Sequence, residues 1–356
     1  MPEGLYIDED GRVIVTHSML KTFRRCPKQA DYKYAQRLKP RIQNKNLRRG
    51  VWFHELLERY HMGLDWEGHH AKLAAQFDLL FDEEKDYYGD LPREIEQAMK
   101  AYIWHYKLDE WRVIETEMVL EAELPDGTIL RCKVDALIEN AFGMWLVDHK
   151  THRTLPNFTY RLLDAQSGLY LWAGLKMGLK LQGFIWNYVR WKAPSVPELV
   201  YKNTSKPRLS TRSCETDYPT YTNAVKQYLD EYPGFKVDKG IIQRQAYLKS
   251  MRYTPGAPQT SPFFRREVLE KDPAMLRRVA VENYHTALRM NNYDFTQQDA
   301  VERVVDLFSC ERTCSYANLC SVELMGGDSR YLRKQLYQIG DPNDYYYDKE
   351  PDKVIQ

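Results

Sequence analysis

The chain has 356 residues and a hydrophobic fraction of 43%, which suffices for one large globular domain or two smaller ones. Its formal net charge of +1 excludes the strong overall basic field of many nucleic-acid-binding proteins, so any site for a polyanion has to be a local patch. The sequence has no apolar run of membrane-spanning length and no recognisable signal peptide, which predicts an intracellular protein with reduced cysteines.

The amino-terminal segment is predicted to be a short arm followed by a helix. Residues 1–16 have the pattern of a strand or arm that turns at Asp10 and Gly11. Ser18 is the predicted N-cap of a helix that runs through apolar residues as far as Cys26.

A basic stretch at residues 37–49 comes next, and two interpretations of it stay open: contact with phosphates or ordinary solvation at the surface. The segment VWFHELLERYHMGL follows Gly50 with apolar residues at helical spacing, which places His54 and His61 on one face of a helix. The two histidines lack the spacing of an HExxH zinc protease. The helical pattern continues over about residues 55–110, which we interpret as a helical insertion.

The pattern then changes to an alternation of apolar and polar residues. It predicts three antiparallel strands at roughly residues 112–124, 128–139 and 143–149. A helix is predicted around residues 160–177, and the apolar segment LQGFIWNYVRW after it is predicted to be a buried strand. The middle of the chain therefore has the order βββαβ.

The carboxy-terminal part is predicted to be mainly helical. Residues 194–220 are rich in Pro, Ser and Thr and are expected to form a loop, with a helix near residues 220–231. A further helix is expected from Asp272, its N-cap, to about residue 290. The segment SPFFRRE could either stack on single-stranded DNA or form a packing edge. The tail, residues 341–356, is expected to be mobile.

The residues with the clearest chemistry lie on two of the predicted strands. Asp135 lies near the end of one strand, and Asp148 and Lys150 share a face of the next because they are two residues apart. Two carboxylates can hold Mg²⁺ or Mn²⁺, which prefer oxygen ligands, and a neighbouring lysine can act on a water or on developing negative charge. The alternative is an exposed strand with a solvated Asp–Lys pair.

Four cysteines form a second candidate site. Three lie close together in FSCERTCSYANLC and one lies near the start of the chain: Cys310, Cys314, Cys320 and Cys26. In a reducing compartment such a group indicates a metal site before it indicates disulfides, and Cys26 would supply the fourth thiolate and join the two ends of the fold. The alternative is that the cysteines are buried without a ligand. Cys132 and Cys214 are interpreted as structural.

Taken in order, these segments resemble the RecB-like branch of the PD-(D/E)XK nuclease superfamily, including Cas4-type and AddB-type exonucleases. The resemblance spans nearly the whole chain. It is carried by SMLKTFRRCPKQADYKY, GVWFH, VDAL, VDHKT and QSGLY, followed by the cysteine trio.

The resemblance implies an α/β fold with a mixed central β-sheet flanked by helices, a restriction-endonuclease-like core with helical insertions. It implies one nuclease domain over residues 1–340, with the core at about 111–192 and a helical, cysteine-bearing region at about 193–335. An iron–sulfur clasp would join the amino- and carboxy-terminal regions.

The resemblance also implies a role for each motif residue. His54, Asp135 and Asp148 would bind Mg²⁺ or Mn²⁺, and Lys150 would be catalytic together with the two carboxylates. Gln166 and Tyr170 would organise the substrate. The four cysteines would bind a 4Fe–4S cluster: Cys26, Cys310, Cys314 and Cys320.

Three positions depart from the family pattern. The first gap of the cysteine trio, CERTC, is one residue longer than usual, which makes zinc the alternative to the cluster. Asp148 stands where many relatives have Glu, and it remains a good oxygen ligand. Lys133 lies near a position where relatives often have Gly.

The sequence therefore predicts a metal-dependent DNA nuclease, an exonuclease acting on single strands or free ends in recombination, repair or replication. A cytoplasmic protein of bacterial or phage type is expected, and because the chain has no helicase phosphate loop, any motor would be a separate helicase or recombination partner. Two alternatives are kept. One is a catalytically silent DNA-binding or complex-forming module, against which the intact Asp135, Asp148, Lys150 and His54 count. The other is a structure-specific endonuclease.

Overall fold

The computed structural model describes residues 7, 10–156, 163–200, 205–209 and 215–341. In these ranges the strands are β1 (Ile14–Thr16), β2 (Leu38–Pro40), β3 (Arg112–Glu123), β4 (Ile129–Asn140), β5 (Gly143–His152), β6 (Leu181–Arg190), β7 (Leu199–Val200), β8 (Arg208–Leu209), β9 (Phe264–Glu270) and β10 (Tyr337–Ile339). The α-helices are α1 (His17–Arg25), α2 (Pro27–Ala30), α3 (Lys45–His61), α4 (Trp66–Asp78), α5 (Asp82–Tyr88), α6 (Leu91–His105), α7 (Ala165–Lys176), α8 (Tyr218–Glu231), α9 (Lys239–Ser250), α10 (Pro273–Asn291), α11 (Leu307–Arg312), α12 (Ala317–Leu324) and α13 (Arg330–Leu336).

A mixed sheet forms the centre of the molecule. β4 pairs along its length with antiparallel β3. Its other edge pairs first with parallel β1 and then with antiparallel β5. The sheet continues through β6, which is parallel to β5, to β9, which is antiparallel to β6. The predicted mixed sheet and its βββαβ order are confirmed.

One face of the sheet carries the main apolar core. Side chains of β4, β5 and β6 pack there against α1, α7 and α10, among them Cys132, Val134, Leu146, Phe184 and Trp186. β6 is buried at nearly every position, as expected for a strand that is covered on both faces. The crossover through α7 joins parallel β5 and β6, so that α7 begins beside the end of β5.

The helical insertion covers part of the opposite face. Trp52, Phe53, Leu56 and Leu57 of α3 pack against α6, and Phe264 reaches the same cluster from β9. α3 consequently crosses the sheet close to β5. Apart from its first few residues, the insertion predicted for 55–110 follows α3 and consists of α4, α5 and α6.

The segment SPFFRRE is part of this packing. Phe263 and Phe264 are only 2% and 3% exposed, and Phe264 begins the edge strand β9. Buried rings cannot stack on single-stranded DNA, so the structure supports the packing edge among the two interpretations. β9 itself and α9 are absent from the sequence-based prediction.

Helix starts were predicted with mixed success. Asp272 caps α10 as expected, because its side chain accepts a hydrogen bond from Met275 N. The predicted N-cap Ser18 is wrong: α1 begins at His17, and the side chain of Thr16 accepts the capping bond from Met19 N. Thr16 ends β1, so the strand leads directly into the helix.

Other predicted segments lie partly outside the described residues. Gly11 has a φ of +77°, and Ile7 and Val13 form a bridge on either side of the predicted turn. The expected loop at 194–220 contains the short antiparallel pair β7 and β8, while residues 201–204 and 210–214 lie outside the description. The tail lies outside it from residue 342 onwards.

The two ends of the described chain pack together. β10 pairs with β2 in antiparallel register, and the Tyr316 hydroxyl donates a 2.7 Å hydrogen bond to the Leu38 carbonyl oxygen. Tyr32, Leu319 and Tyr337 complete a small apolar cluster beside Cys314 and Cys320. None of the described helices is long and apolar enough to cross a membrane.

Candidate active site

Two adjacent strands bring the predicted carboxylates together. Ala136 pairs with Val147 in the β4–β5 ladder, so Asp135 and Asp148 lie one step further along, at the point where the two strands separate. Asp135 is 6% exposed and Asp148 is 3% exposed. Two carboxylates buried side by side repel each other and require positive charge nearby.

The cavity next to these carboxylates has a volume of about 730 Å³. α3, β3, β4 and β5 supply its walls, and both His54 and Lys150 line it. Gly50 lies one turn before His54 on α3, and a Cβ atom there would be 3.4 Å from Thr151 Oγ1. The glycine of the GVWFH segment thus lies on the side of α3 that faces β5, where a Cβ atom would make an ordinary van der Waals contact.

Asp135 is held by its neighbours as a carboxylate. Its Oδ1 lies 3.4 Å from His54 Nδ1, and its Oδ2 accepts a 2.5 Å hydrogen bond from the backbone N–H of His149. Burial by itself would raise the pKa of Asp135, but the charges of His54 and Lys150 outweigh burial and lower it. Asp135 in turn raises the pKa of His54 against the opposing effect of burial.

Asp148 is the weaker acid of the two. Lys150 Nζ lies 2.5 Å from its Oδ2, and Gln166 Nε2 donates a 2.7 Å hydrogen bond to its Oδ1. Burial, helped by the charge of Asp135, raises the pKa of Asp148 to about 6 although Lys150 opposes this. The two carboxyl groups thus differ strongly in proton affinity.

The two residues of α7 that were expected at the site, Gln166 and Tyr170, have different surroundings. Gln166 is at the start of the helix, where Asp164 is the N-cap, and reaches Asp148. Tyr170, one turn later, is 5% exposed and packs edge-on against Phe184 in the main core, with 6.2 Å between ring centroids. Gln166 therefore contacts Asp148 directly, and the ring of Tyr170 lies in the main core.

The donor set fits a hard divalent cation. Asp135, Asp148 and His54 offer two carboxylates and an imidazole, and Asp148 Oδ2 accepts no aligned hydrogen bond although Lys150 Nζ is near. Among the residues that the structure describes, no three His, Cys, Asp or Glu side chains are arranged as a ready metal-binding cluster. The ammonium of Lys150 and the imidazole of His54 balance the carboxylates instead.

A buried hydrogen-bonded network lies behind the site and was not predicted. Asn187 Nδ2 donates to His149 Nδ1 at 2.7 Å and to the Tyr102 hydroxyl at 2.9 Å. That hydroxyl lies 3.4 Å from His61 Nε2, and the rings of His61 and His149 stack at 5.5 Å. Burial lowers the pKa of His61 to about 4 and that of His149 well below its usual value, so both rings are neutral near pH 7.

Glu117 and Lys133 also line the cavity and were missed as site residues. Lys133 Nζ lies 2.7 Å from Glu117 Oε2. Burial and the charge of Asp135 raise the pKa of Glu117. The alternating pattern of β3 did not distinguish Glu117 as a site residue, because acidic residues are common on the outer faces of strands.

Part of the basic stretch is used for packing. Arg49 is 3% exposed, pairs with Glu94 and stacks over the Trp191 ring at 3.9 Å. Arg48 lies over the Tyr88 ring at 4.6 Å. These two cations stabilise the packing of the insertion. The interpretation as a phosphate-binding stretch therefore depends on its other basic residues.

The four cysteines of the second candidate site are free, half-buried thiols. Cys26 lies between α1 and α2, Cys310 is in α11 and Cys320 is in α12. Burial raises the pKa of Cys314, and Cys310 and Cys26 raise it further, so thiols from both ends of the chain lie within electrostatic range of Cys314.

The remaining two cysteines were interpreted as structural. Cys132 is fully buried in the main core, where its thiol makes apolar contacts. Cys214 lies outside the described residues.

Comparison with known proteins gives the family. Residues 14–321 match the model of the PD-(D/E)XK nuclease superfamily. Two solved structures are similar: a candidate exonuclease from Eubacterium rectale, with a TM-score of 0.41 and 11% identity over 84% of this chain and 92% of that one, and the protein SSO0001, with a TM-score of 0.31 and 12% identity over 88% of both. No curated protein matches the chain. Because the family match spans most of its length, the chain belongs to the PD-(D/E)XK nuclease superfamily.

Proposed function

We propose that the protein is a metal-dependent DNA exonuclease of the RecB-like branch, of Cas4 or AddB type, that acts on single strands or free ends. One observation carries the proposal: two buried carboxylates, Asp135 and Asp148, lie side by side with Lys150 and His54 at the wall of a cavity. The superfamily implies a DNA substrate.

Asp135, Asp148 and His54 would hold Mg²⁺ or Mn²⁺, which when bound supplies a Lewis acid beside the scissile phosphate. Lys150 shares the cavity, and its ammonium acts on the attacking water or on the negative charge that develops on the phosphate. Gln166 holds Asp148 Oδ1 and so fixes the direction of its other oxygen. Gln166 and Tyr170 would organise the substrate, Gln166 from its place beside Asp148 and Tyr170 from one turn later on α7.

The size of the cavity supports action on a single strand. A volume of about 730 Å³ is within the range of pockets for one small ligand, so the site has room for a short piece of strand near the carboxylates. The insertion α3–α6 bounds the cavity on one side, which favours entry of an end.

The cysteine site is proposed to hold a 4Fe–4S cluster, with zinc as the alternative. Its thiolates would be Cys26, Cys310, Cys314 and Cys320. Two observations support the proposal: all four thiols are free, and Cys310 and Cys26 both raise the pKa of Cys314. The cluster would reinforce the pairing of β2 with β10.

We further propose one nuclease domain over residues 1–340, with the core at 111–192 and the cysteine-bearing region at 193–335. A helicase or recombination protein would supply DNA ends. Recombination, repair or replication is the proposed setting.

The experiment is incubation of the purified protein with labelled linear and circular single-stranded DNA and Mn²⁺, with EDTA as the control. Digestion of the linear substrate alone is the expected result. Cutting of the circle would select an endonuclease, and an inert protein that still binds DNA would select the silent module.

A further inference from the structure

Glu117 has an unusual backbone conformation in the middle of β3. Its φ is +53°, and Arg37 is the other non-glycine residue with a positive φ among those described. A bulky side chain is disfavoured in this left-handed region, and such outliers persist where the surrounding structure enforces them, often at functional sites. Nothing in the alternating sequence of β3 requires a turn there.

The strand register puts Glu117 beside a residue of the candidate site. Thr116 pairs with Ala136 and Met118 with Val134, so Glu117 lies level with Asp135 on the neighbouring strand. Like charges directly opposite each other destabilise a sheet. Two unfavourable features, backbone strain and charge repulsion, therefore coincide at one residue.

The side chain of Glu117 is held inside the cavity. It is 18% exposed and pairs with Lys133, which is 11% exposed, at 2.7 Å. Both residues line the same cavity as His54 and Lys150. A surface carboxylate would have no need of this placement, because it could point into solvent.

We propose that Glu117 is a further ligand, direct or through a water, of the divalent cation held by Asp135, and that Lys133 competes with this cation for the Glu117 carboxylate. The inference rests on the proposed function, since it requires a cation at Asp135. A bound cation offsets the repulsion between the two carboxylates. Lys133 does so when no cation is present.

The proposal is tested by Mn²⁺ titration calorimetry on the full-length protein without DNA. Glu117→Gln should raise the Kd for Mn²⁺ by roughly tenfold or more, as for other groups that support a metal site. Lys133→Met should lower the Kd, because it removes the competing charge and keeps a side chain of similar length. Glu115→Gln is the matched control, since Glu115 lines the same cavity from β3 but is exposed, and it should leave the Kd unchanged.

A glycine variant tests whether misfolding, rather than loss of a ligand, explains a weaker affinity for Mn²⁺. Glu117→Gly suits a positive φ, so the metal-free variant should stay folded while binding Mn²⁺ as weakly as Glu117→Gln. Wild-type affinity in both Glu117 variants would overturn the inference, as would a Lys133→Met variant that binds no tighter. A wild-type protein that binds no Mn²⁺ would instead refute the proposed function itself.

Discussion

Lys150 Nζ lies 2.5 Å from Asp148 Oδ2, so the aspartate and the lysine of the VDHK segment form an ion pair at the wall of the cavity. Asp148 is almost fully buried, whereas the Lys150 side chain is 28% exposed toward the cavity. Removal of either partner leaves the other charge uncompensated. The two residues have different proposed roles, which allows their variants to be distinguished.

Replacement of Lys150 should separate metal binding from cleavage. Lys150→Ala removes a cation that neighbours the carboxylates, so Mn²⁺ affinity should persist or increase. Cleavage should fall about a hundredfold or more, the usual effect of losing one electrostatic contribution to a transition state. Calorimetry with Mn²⁺ and a nuclease assay on the same preparation measure both quantities.

Asp148→Ala is the matched comparison, because it removes an anionic ligand and should reduce Mn²⁺ affinity and cleavage together. A Lys150→Ala variant that cuts DNA at the wild-type rate would contradict the proposed catalytic role of the VDHK segment.

Gln166 should affect metal binding through Asp148. Gln166→Ala removes the amide that donates to Asp148 Oδ1, which frees the carboxylate to turn, and Mn²⁺ affinity should fall roughly tenfold to a hundredfold. Tyr170→Phe is the control on the same helix and should leave Mn²⁺ affinity unchanged, since Tyr170 lies in the core. If Gln166→Ala lowers cleavage but binds Mn²⁺ like the wild type, Gln166 acts on the DNA instead.

The strands that carry the site could be predicted because local patterns define them. Alternation over β3, β4 and β5, with turn residues between them, gave their limits to within a few residues. The two-residue spacing of Asp148 and Lys150 was enough to put both on one face. The parallel pairing of β1 with β4 is long-range and left no local signal.

Other features depend on tertiary contacts that the sequence does not specify. Glu117 has the same residue type as many exposed strand positions, and only its backbone φ and the register with Asp135 distinguish it. The contact of His61 with Tyr102 depends on the packing of α3 against α6, which the local sequence does not specify. Phe263 and Phe264 were ambiguous because an aromatic pair suits both a core and a base-stacking surface.

The cysteine site should carry a coloured cofactor. Anaerobically purified protein should be brown with broad visible absorption if the four thiolates ligate an iron–sulfur cluster as proposed. Cys26→Ser should remove the colour and lower the unfolding temperature, since the free energy of metal binding is also free energy of folding. Ser315→Ala, a change next to Cys314 that removes no thiol, should do neither.

Absorption spectra and metal analysis decide between the possible ligands. A colourless protein with stoichiometric zinc would contradict the cluster and keep the four-thiolate site. Metal-free protein with the stability of the wild type would contradict both.

The stability of the metal-free protein should depend on pH through Asp148. Burial raises the pKa of Asp148 to about 6, above the value of about 3.9 in an unfolded chain, so the folded state binds this proton more tightly. Its stabilising contribution is complete below about pH 4 and is lost as the pH rises through about 6. Asp148→Asn stays neutral and should therefore exceed the wild type in unfolding free energy by roughly 1–3 kcal/mol above pH 6, with the difference vanishing toward pH 4. Urea unfolding in EDTA across this pH range measures the difference in unfolding free energy. Asp78→Asn, at an exposed position, is the control. A difference between Asp148→Asn and the wild type that does not change with pH would contradict the raised pKa of Asp148.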